Sequence, residues 1–138
     1  MIIGIGIDIV EIGRIGESLQ CFGDRFEKRV FTSGEILIAN SKGNLAKGNL
    51  AIKTSYYAKR FAAKEAFSKA IGLGIGRGIN FTDIEIINDA SGKPKIKLTT
   101  IAKQFLQKHL NQNNFKIDLS MSDTKDIAQA IVIISNGF

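Results

Sequence analysis

Four charged side chains lie close together in the segment RFAAKEAFSKAIG, namely Arg60, Lys64, Glu65 and Lys69. The apolar residues of this segment recur at helical spacing, which predicts an α-helix over Tyr56–Ile71. Glu65 and Lys69 are four residues apart and therefore share one helix face. A carboxylate among lysines can hold a metal ion while the lysines neutralise phosphate oxygens. An exposed ion pair has the same spacing, so both interpretations stay open here.

A second carboxylate lies in the first strand of the chain. Residues 2–10 are β-branched, apolar and interrupted by glycine, which predicts a buried strand, and Asp8 lies within it. A buried carboxylate is costly unless a cation or hydrogen bonds compensate it. Gly4, Gly6 and Asp8 share one face of the pleat, and glycines there indicate close approach of another backbone or a ligand. Asp8 and Glu65 could hold one divalent cation if strand and helix pack together.

The chain has one histidine and one cysteine, far apart in sequence. This composition disfavours a zinc site and Ser-His-Asp catalysis. His109, near the end of a lysine-rich helix, is interpreted as a C-terminal charge. Cys21 is interpreted as structural, and because it has no internal partner we expect a reducing compartment, the cytoplasm.

Alternating glycines follow the helix, at Gly72, Gly74, Gly76 and Gly78. The run lacks the Lys-Ser/Thr of a P-loop and precedes no helix, so neither that motif nor the Rossmann fingerprint fits. The negative end of the helix dipole would also repel phosphate. We therefore interpret the run as a helix stop and tight loop, where phosphate would need backbone N–H groups, Arg77 or lysines.

Periodicity predicts the elements that must position these groups within one domain, residues 1–138. The predicted elements follow the order β-α-α-α-β-β-α-β-β with two hairpins. This order indicates an α+β fold whose mainly antiparallel sheet packs against a long helix. After the long helix the predicted strands are Phe81–Asn88, Lys95–Leu98, Lys116–Ser122 and the apolar run AQAIVIIS, the last as a central strand.

Local signals refine this prediction. Three glycines, Gly13, Gly16 and Gly23, are expected to interrupt the helical stretch that follows the first strand. The sequence TSGE at 32–35 matches a capping box and predicts a short helix. Thr99 is expected to cap a helix in which Ile101, Phe105 and Leu106 are buried. The direct repeat of KGNLA at 42–51 is interpreted as a polar loop insertion.

The charge balance favours an anionic partner without choosing it. Lysine and arginine number 19 against 13 acidic residues, giving a net charge of +6. Such a surface attracts nucleic acid, phosphorylated cofactors, acidic proteins or anionic lipid. A basic module for nucleic acid is disfavoured because no aromatic stacking ladder or recognition-helix pattern is present. No apolar run approaches the length of a membrane span.

Four segments together resemble one family, the holo-acyl-carrier-protein synthases, which are small bacterial 4′-phosphopantetheinyl transferases. GIGIDIVEIGRI looks like the N-terminal signature and RFAAKEAFSKAIGLGIGRG like the central one; FTDIEIINDASGKPKI and LSMSDTKDIAQAIVI follow in the family's order. The resemblance implies Mg²⁺-dependent transfer of phosphopantetheine from coenzyme A to a serine of apo-acyl carrier protein, with release of 3′,5′-ADP. It also implies a homotrimer with sites at the subunit interfaces.

The resemblance also implies roles for individual residues. Asp8 and Glu65 match the metal-binding carboxylates, and Glu65 would also accept the serine proton. Lys64 and Lys69 would stabilise phosphate oxygens, and Arg60 would meet the 3′-phosphate of coenzyme A. Other residues expected on the nucleotide side are Ser68, Gly72, Gly74, Gly76, Lys93 and Pro94. The basic patch expected on the first helix to dock the acidic carrier protein consists of Arg14, Arg25 and Arg29.

One position departs from the family's pattern. The motif SMSDT has Asp123 where the family usually has histidine. An acidic group near bound phosphates should weaken coenzyme A binding unless a lysine pairs with it. We therefore assign no role to Asp123, and a homologue that binds the carrier protein without transfer remains the alternative.

Overall fold

The computed structural model describes residues 1–43 and 50–137. The loop expected from the KGNLA repeat falls mainly on residues outside these ranges. The helices are α1 (Ile12–Phe22), α2 (Asp24–Val30), α3 (Ser33–Gly43), α4 (Leu50–Ile71) and α5 (Thr100–Leu110). The strands are β1 (Ile2–Glu11), β2 (Ile84–Asn88), β3 (Pro94–Leu98), β4 (Lys116–Asp123) and β5 (Ile127–Ser135).

The strands form two antiparallel sheets. The larger sheet has the order β1-β5-β4, so the apolar run of β5 is its central strand, as the sequence predicts. The hairpin β2-β3 forms the second sheet. The long helix α4 packs against β1 and β5 and is buried along most of its length. The predicted α+β fold is confirmed.

The contact between β1 and α4 is a close backbone approach. A Cβ atom added to Gly6 would lie 1.8 Å from the carbonyl oxygen of Ala66, and one added to Gly4 would lie 2.1 Å from that of Ala70. The two glycines therefore allow β1 to lie directly on the helix that carries Glu65 and Lys69. The prediction of a buried strand is met on the glycine face, but the opposite face of β1 is exposed. Its isoleucines Ile5, Ile7 and Ile9 are between 51% and 59% exposed.

We predict that Gly6→Ala lowers the free energy of unfolding by about 1–3 kcal/mol, because the added methyl group would push β1 away from α4. Gly13→Ala is the matched control: nothing lies within 4 Å of its added Cβ. In a helix this change should raise the free energy of unfolding by about 0.5–1 kcal/mol. Urea unfolding measures both, and equal stabilities of the two variants would contradict the close contact.

The helix boundaries differ from expectation at three places. Helix α1 continues through Gly13 and Gly16 because buried Ile12 and Ile15 anchor it, and only Gly23, at φ 51°, ends it. Because Gly23 divides the first predicted helix into α1 and α2, the described residues contain four helices before β2, where the sequence predicted three. Helix α4 begins at Leu50, and the predicted start of β2 is a 3₁₀ turn at Phe81–Asp83.

The two predicted helix caps are present. The Thr32 backbone N–H donates to Glu35 Oε1 at 2.9 Å, and the Glu35 N–H donates to Thr32 Oγ1 at 3.2 Å. Thr99 Oγ1 accepts from the N–H of Ala102. Leu106 is buried as expected, but Ile101 points to solvent at the start of α5. Within the described ranges, no helix combines the length and apolarity needed to cross a membrane.

Candidate active site

Asp8 and Lys69 meet where β1 lies on α4. Lys69 Nζ donates to Asp8 Oδ1 and to the Ile7 carbonyl oxygen, both at 3.0 Å. The Asp8 side chain is 16% exposed and that of Lys69 54%. Asp8 is therefore only partly buried, and a lysine of the fold compensates its charge. This ion pair links α4 to β1, and the half-exposed ammonium of Lys69 can still bind an anion.

Glu65 lies one helical turn before Lys69 and is half-buried. Burial raises the pKa of its carboxyl group, the charge of Asp8 raises it further, and Lys69 opposes both effects. The charges of Asp8 and Lys69 thus both influence the pKa of Glu65 where β1 packs on α4. The strand that carries Asp8 packs on the helix that carries Glu65, as a shared cation would require.

The donor set fits a hard divalent cation that bridges phosphates. Such ions are held by one or two protein carboxylates, with waters and substrate oxygens completing the shell. Asp8 and Glu65 supply two carboxylates. In the part of the chain that the structure describes, no cluster of three or more His, Cys, Asp and Glu could hold a metal alone.

A depression of about 570 Å³ opens beside Glu65, and we call it the Glu65 depression. Helix α2 contributes Lys28 and Arg29 to its wall, and the glycine loop contributes Ile75 and Gly76. The remaining wall comes from the 3₁₀ turn, through Asn80, Phe81 and Thr82. The depression therefore places two basic side chains opposite a carboxylate.

The glycine run ends α4 as predicted. The N–H of Gly72, at φ 76°, donates to the Lys69 carbonyl, and the N–H of Leu73 donates to that of Ser68. This pair of bonds is a Schellman cap. The space around Gly72, Gly74 and Gly76 is open, since a Cβ added at any of them would meet nothing within 4 Å. The Ser68 hydroxyl is buried and donates to the Glu65 carbonyl within the helix.

The position of Lys64 contradicts its implied phosphate role. Its side chain is fully buried, and its ammonium donates to Glu35 Oε1 at 2.7 Å. It also donates to the carbonyl oxygens of Val30, at 2.7 Å, and Phe81, at 3.1 Å. Its three N–H donors are thereby used, so none remains for a phosphate.

Arg60 lies in the wall of a larger cavity of about 1150 Å³, which we call the Arg60 cavity. Its guanidinium stacks on the ring of Tyr56, with Cζ 3.9 Å from the ring centroid. Both side chains are about 95% buried, yet Arg60 Nε and the Tyr56 hydroxyl lack hydrogen-bond partners among the described residues. Burial lowers the pKa of Arg60. Buried polar groups without partners are rare, which indicates a site completed by a ligand or water.

The Arg60 cavity is basic, and Asp123 lies in its wall. Lysine residues in the wall are Lys42, Lys59 and Lys125. Lys59 Nζ lies 3.7 Å from Asp123 Oδ1, and the Ser55 hydroxyl donates to Asp123 Oδ2 at 3.4 Å. A lysine thus pairs with the acidic group that departs from the family's pattern. Sequence reasoning missed Tyr56 and Lys59, although Tyr56 is spaced i,i+4 from Arg60.

The remaining predicted residues lie elsewhere on the chain. Lys93 and Pro94 line a separate depression of about 380 Å³ with residues of β4 and β5. Arg14, Arg25 and Arg29 are all exposed, but they lie on two helices, α1 and α2, instead of one. Within one chain, only Arg29 of these five reaches the Glu65 depression.

Two carboxylates, a half-exposed lysine and a basic cavity on this α+β fold are groups that an enzyme for a phosphorylated substrate would need. Residues 4–131 match the 4′-phosphopantetheinyl transferase superfamily. A holo-[acyl-carrier-protein] synthase of Pelagibacter ubique is 47% identical over 133 residues, 96% of each chain. The chain belongs to this superfamily, within its holo-[acyl-carrier-protein] synthases, and is an enzyme. The resemblance drawn from the sequence is confirmed.

Solved structures agree with this assignment. The holo-[acyl-carrier-protein] synthase of Neisseria meningitidis has a TM-score of 0.85 and 38% identity, over 99% of this chain and 100% of that one. The synthase of Bacillus anthracis, solved in complex with CoA (3′,5′-ADP), has a TM-score of 0.76 and 40% identity. The match covers 97% of this chain and 96% of the Bacillus anthracis chain.

Proposed function

We propose that this enzyme transfers the 4′-phosphopantetheine group from coenzyme A to a serine of apo-acyl carrier protein. The reaction depends on Mg²⁺ and releases 3′,5′-ADP. The observation that carries the proposal is the meeting of Asp8, Glu65 and Lys69 at the contact of β1 with α4. The Bacillus anthracis relative, which was solved with CoA (3′,5′-ADP), supports coenzyme A as the substrate.

Asp8 and Glu65 are the residues that would hold Mg²⁺. When bound, the ion supplies positive charge that offsets the charge developing on the pyrophosphate of coenzyme A. Asp8 also orients Lys69, whose ammonium is half exposed and donates to a phosphate oxygen of the substrate. The two basic side chains of the Glu65 depression add positive charge beside the reacting group.

Glu65 is the proton acceptor of the reaction. Its carboxylate takes the proton of the carrier-protein serine, whose oxygen attacks the β-phosphorus of coenzyme A in line. The bond from this phosphorus to the bridging oxygen breaks, and 3′,5′-ADP leaves with the electron pair. The raised pKa of Glu65 makes it a stronger base than an ordinary carboxylate at neutral pH.

The Arg60 cavity is the proposed site for the 3′-phosphate end of coenzyme A. It offers a buried guanidinium and three lysines, and its two buried polar groups lack protein partners. Gly72, Gly74, Gly76, Lys93 and Pro94 stay predicted contacts on the nucleotide side. Ser68 is the weakest of these predictions, because its hydroxyl already donates within the helix.

The acidic carrier protein is proposed to dock on α1 and α2. Arg14, Arg25 and Arg29 are exposed there, and opposite charge steers such encounters. The exposed isoleucine face of β1 supports the proposed homotrimer, because an apolar face of this kind is typical of subunit contacts. The single, unpaired Cys21 is consistent with the proposed cytoplasmic location.

Mass spectrometry of apo-acyl carrier protein incubated with this enzyme, coenzyme A and Mg²⁺ tests the proposal. We expect a mass increment of one phosphopantetheine group, with 3′,5′-ADP as the second product and no increment when EDTA is present. An unchanged carrier protein that still forms a complex with the enzyme would instead indicate a binding homologue without transferase activity.

Asp123→Asn is predicted to lower the KM for coenzyme A about threefold, because it leaves the charge of Lys59 free to attract phosphate. The gain should shrink at high salt, which screens partly exposed charges. The measurement is the KM at two salt concentrations, and Asp126→Asn outside the cavity is the control. A raised KM would show that Asp123 assists coenzyme A binding.

A further inference from the structure

Buried Lys64 joins three segments of the chain that are distant in sequence. Its ammonium binds the last carbonyl of α2 at Val30, the carbonyl of Phe81 in the 3₁₀ turn, and Glu35 Oε1 of α3. Glu35 is itself buried and also accepts from the backbone N–H groups of Thr32 and, through Oε2, Ile86. Burial favours the neutral form of Lys64 and lowers its pKa, while Glu35 opposes the change.

These bonds lie directly behind the wall of the Glu65 depression. Lys64 precedes Glu65 on α4, and Val30 follows Arg29 on α2. Phe81 is itself in the wall. One ammonium therefore joins three of the four segments that surround the depression, namely α2, α4 and the 3₁₀ turn; the glycine loop is the fourth. Neither Val30 nor Phe81 lines the Arg60 cavity, whereas Ile86, which donates to Glu35, does line it.

A buried ion pair is not by itself evidence of a contribution to stability. Replacing such a pair by neutral groups of similar volume is often neutral or stabilising. Here Lys64 and Glu35 each bond to backbone groups of separate segments. The pair can therefore fix the relative positions of these segments even if it adds little to the free energy of unfolding. The two effects can be measured separately.

We infer that Lys64 and Glu35 are positioning residues, which fix the basic end of α2 relative to Glu65 so that the carrier-protein serine reaches its proton acceptor. This inference rests on the proposed function and concerns only the carrier-protein side of the site. Loss of the hydrogen bonds from Lys64 to the Val30 and Phe81 carbonyls should displace Lys28 and Arg29 relative to Glu65. Coenzyme A binding at the Arg60 cavity should change less, because Lys64 bonds to no residue that lines this cavity.

The test is the double variant Lys64→Met/Glu35→Gln, which removes both charges while keeping similar side-chain volumes. The hydrogen bonds to the Val30 and Phe81 carbonyls are lost. We expect the KM for apo-acyl carrier protein to rise about tenfold and kcat to fall, with the KM for coenzyme A within about twofold of wild type.

Lys53→Met is the matched control, because Lys53 is another α4 lysine that bonds to α2, through Glu27 Oε1 at 3.2 Å, away from the Glu65 depression. We expect its kinetic constants to remain near those of wild type. Equal changes in both KM values of the double variant, or in the double variant and Lys53→Met, would overturn the inference. A wild-type enzyme that transfers nothing would instead overturn the proposed function.

If the double variant does not fold, Lys64→Arg keeps a positive charge to pair with Glu35 but changes the positions of the donors that meet the Val30 and Phe81 carbonyls. We then expect a smaller rise in the KM for the carrier protein, with a still smaller change in the KM for coenzyme A. An equal rise in the two KM values would assign the pair a purely structural role and overturn the inference.

Discussion

Asp8→Asn is expected to lower kcat of the transferase by about 10²–10³-fold and leave the fold intact. Asparagine keeps the shape of the side chain but loses the charge that holds Lys69 and would bind the metal. The free energy of unfolding should stay the same or rise slightly, because the lost ion pair is partly exposed and the repulsion with Glu65 disappears. The measurements are mass-spectrometric turnover across a Mg²⁺ titration and urea unfolding.

The control for this prediction is Asp126→Asn. Asp126 is an exposed aspartate between β4 and β5, and it lines neither the Arg60 cavity nor the Glu65 depression. Its loss should change neither turnover nor stability measurably. An Asp8→Asn enzyme that unfolds would show that Asp8 is needed for the fold. One that folds and keeps normal turnover would show that Asp8 is not needed for the reaction.

Local features indicated that another backbone would approach the Asp8 face of β1, but the packing of this face on α4, with Lys69 lying 61 residues away in sequence, stayed a condition of the prediction. Gly4 and Gly6 share a strand face with Asp8, and the neighbouring helix carries alanines where close approach is needed. Both signals are periodic and are visible within about ten residues. The glycine stop of α4 and the caps at Thr32 and Thr99 are local in the same way.

The burial of Lys64 could not be predicted from sequence. A lysine next to a glutamate on a helix has the same pattern whether it faces solvent or the core. Its partners Glu35, Val30 and Phe81 lie 17 to 34 residues away in sequence, so only tertiary packing brings them together. The Arg60 cavity was missed for a similar reason, because its walls come from five separate parts of the chain.

The exposed face of β1 shows the opposite error. The apolar strand was predicted to be buried, but among the described residues its glycine face packs on α4 while its isoleucine face is exposed. Pattern alone cannot distinguish burial inside a chain from burial between copies of it. Ile101 was misjudged because apolar periodicity is weak in the first turn of a helix, where few residues define the face.

Glu65→Gln is expected to lower kcat about 10³-fold or more, because it removes the proposed base and one of two metal-binding carboxylates together. The free energy of unfolding should rise at neutral pH. The folded state raises the pKa of Glu65, so the ionised carboxylate destabilises the fold once the pH exceeds its unfolded value. Glutamine removes that cost, and the gain should vanish below pH 4, where both enzymes are neutral at this position. Urea unfolding across this pH range, with turnover at pH 7, measures both effects.

Glu17→Gln on the exposed face of α1 is the matched control and should leave kcat and the pH dependence of stability unchanged. The double variant with Asp8→Asn adds a further condition. If the two carboxylates bind one metal ion, either single change already abolishes metal binding. The fold-loss in kcat of the double variant should then be much smaller than the product of the two single fold-losses. Losses that multiply fully would mean that Asp8 and Glu65 act independently, and the shared metal site would then have to be abandoned even if each residue is essential.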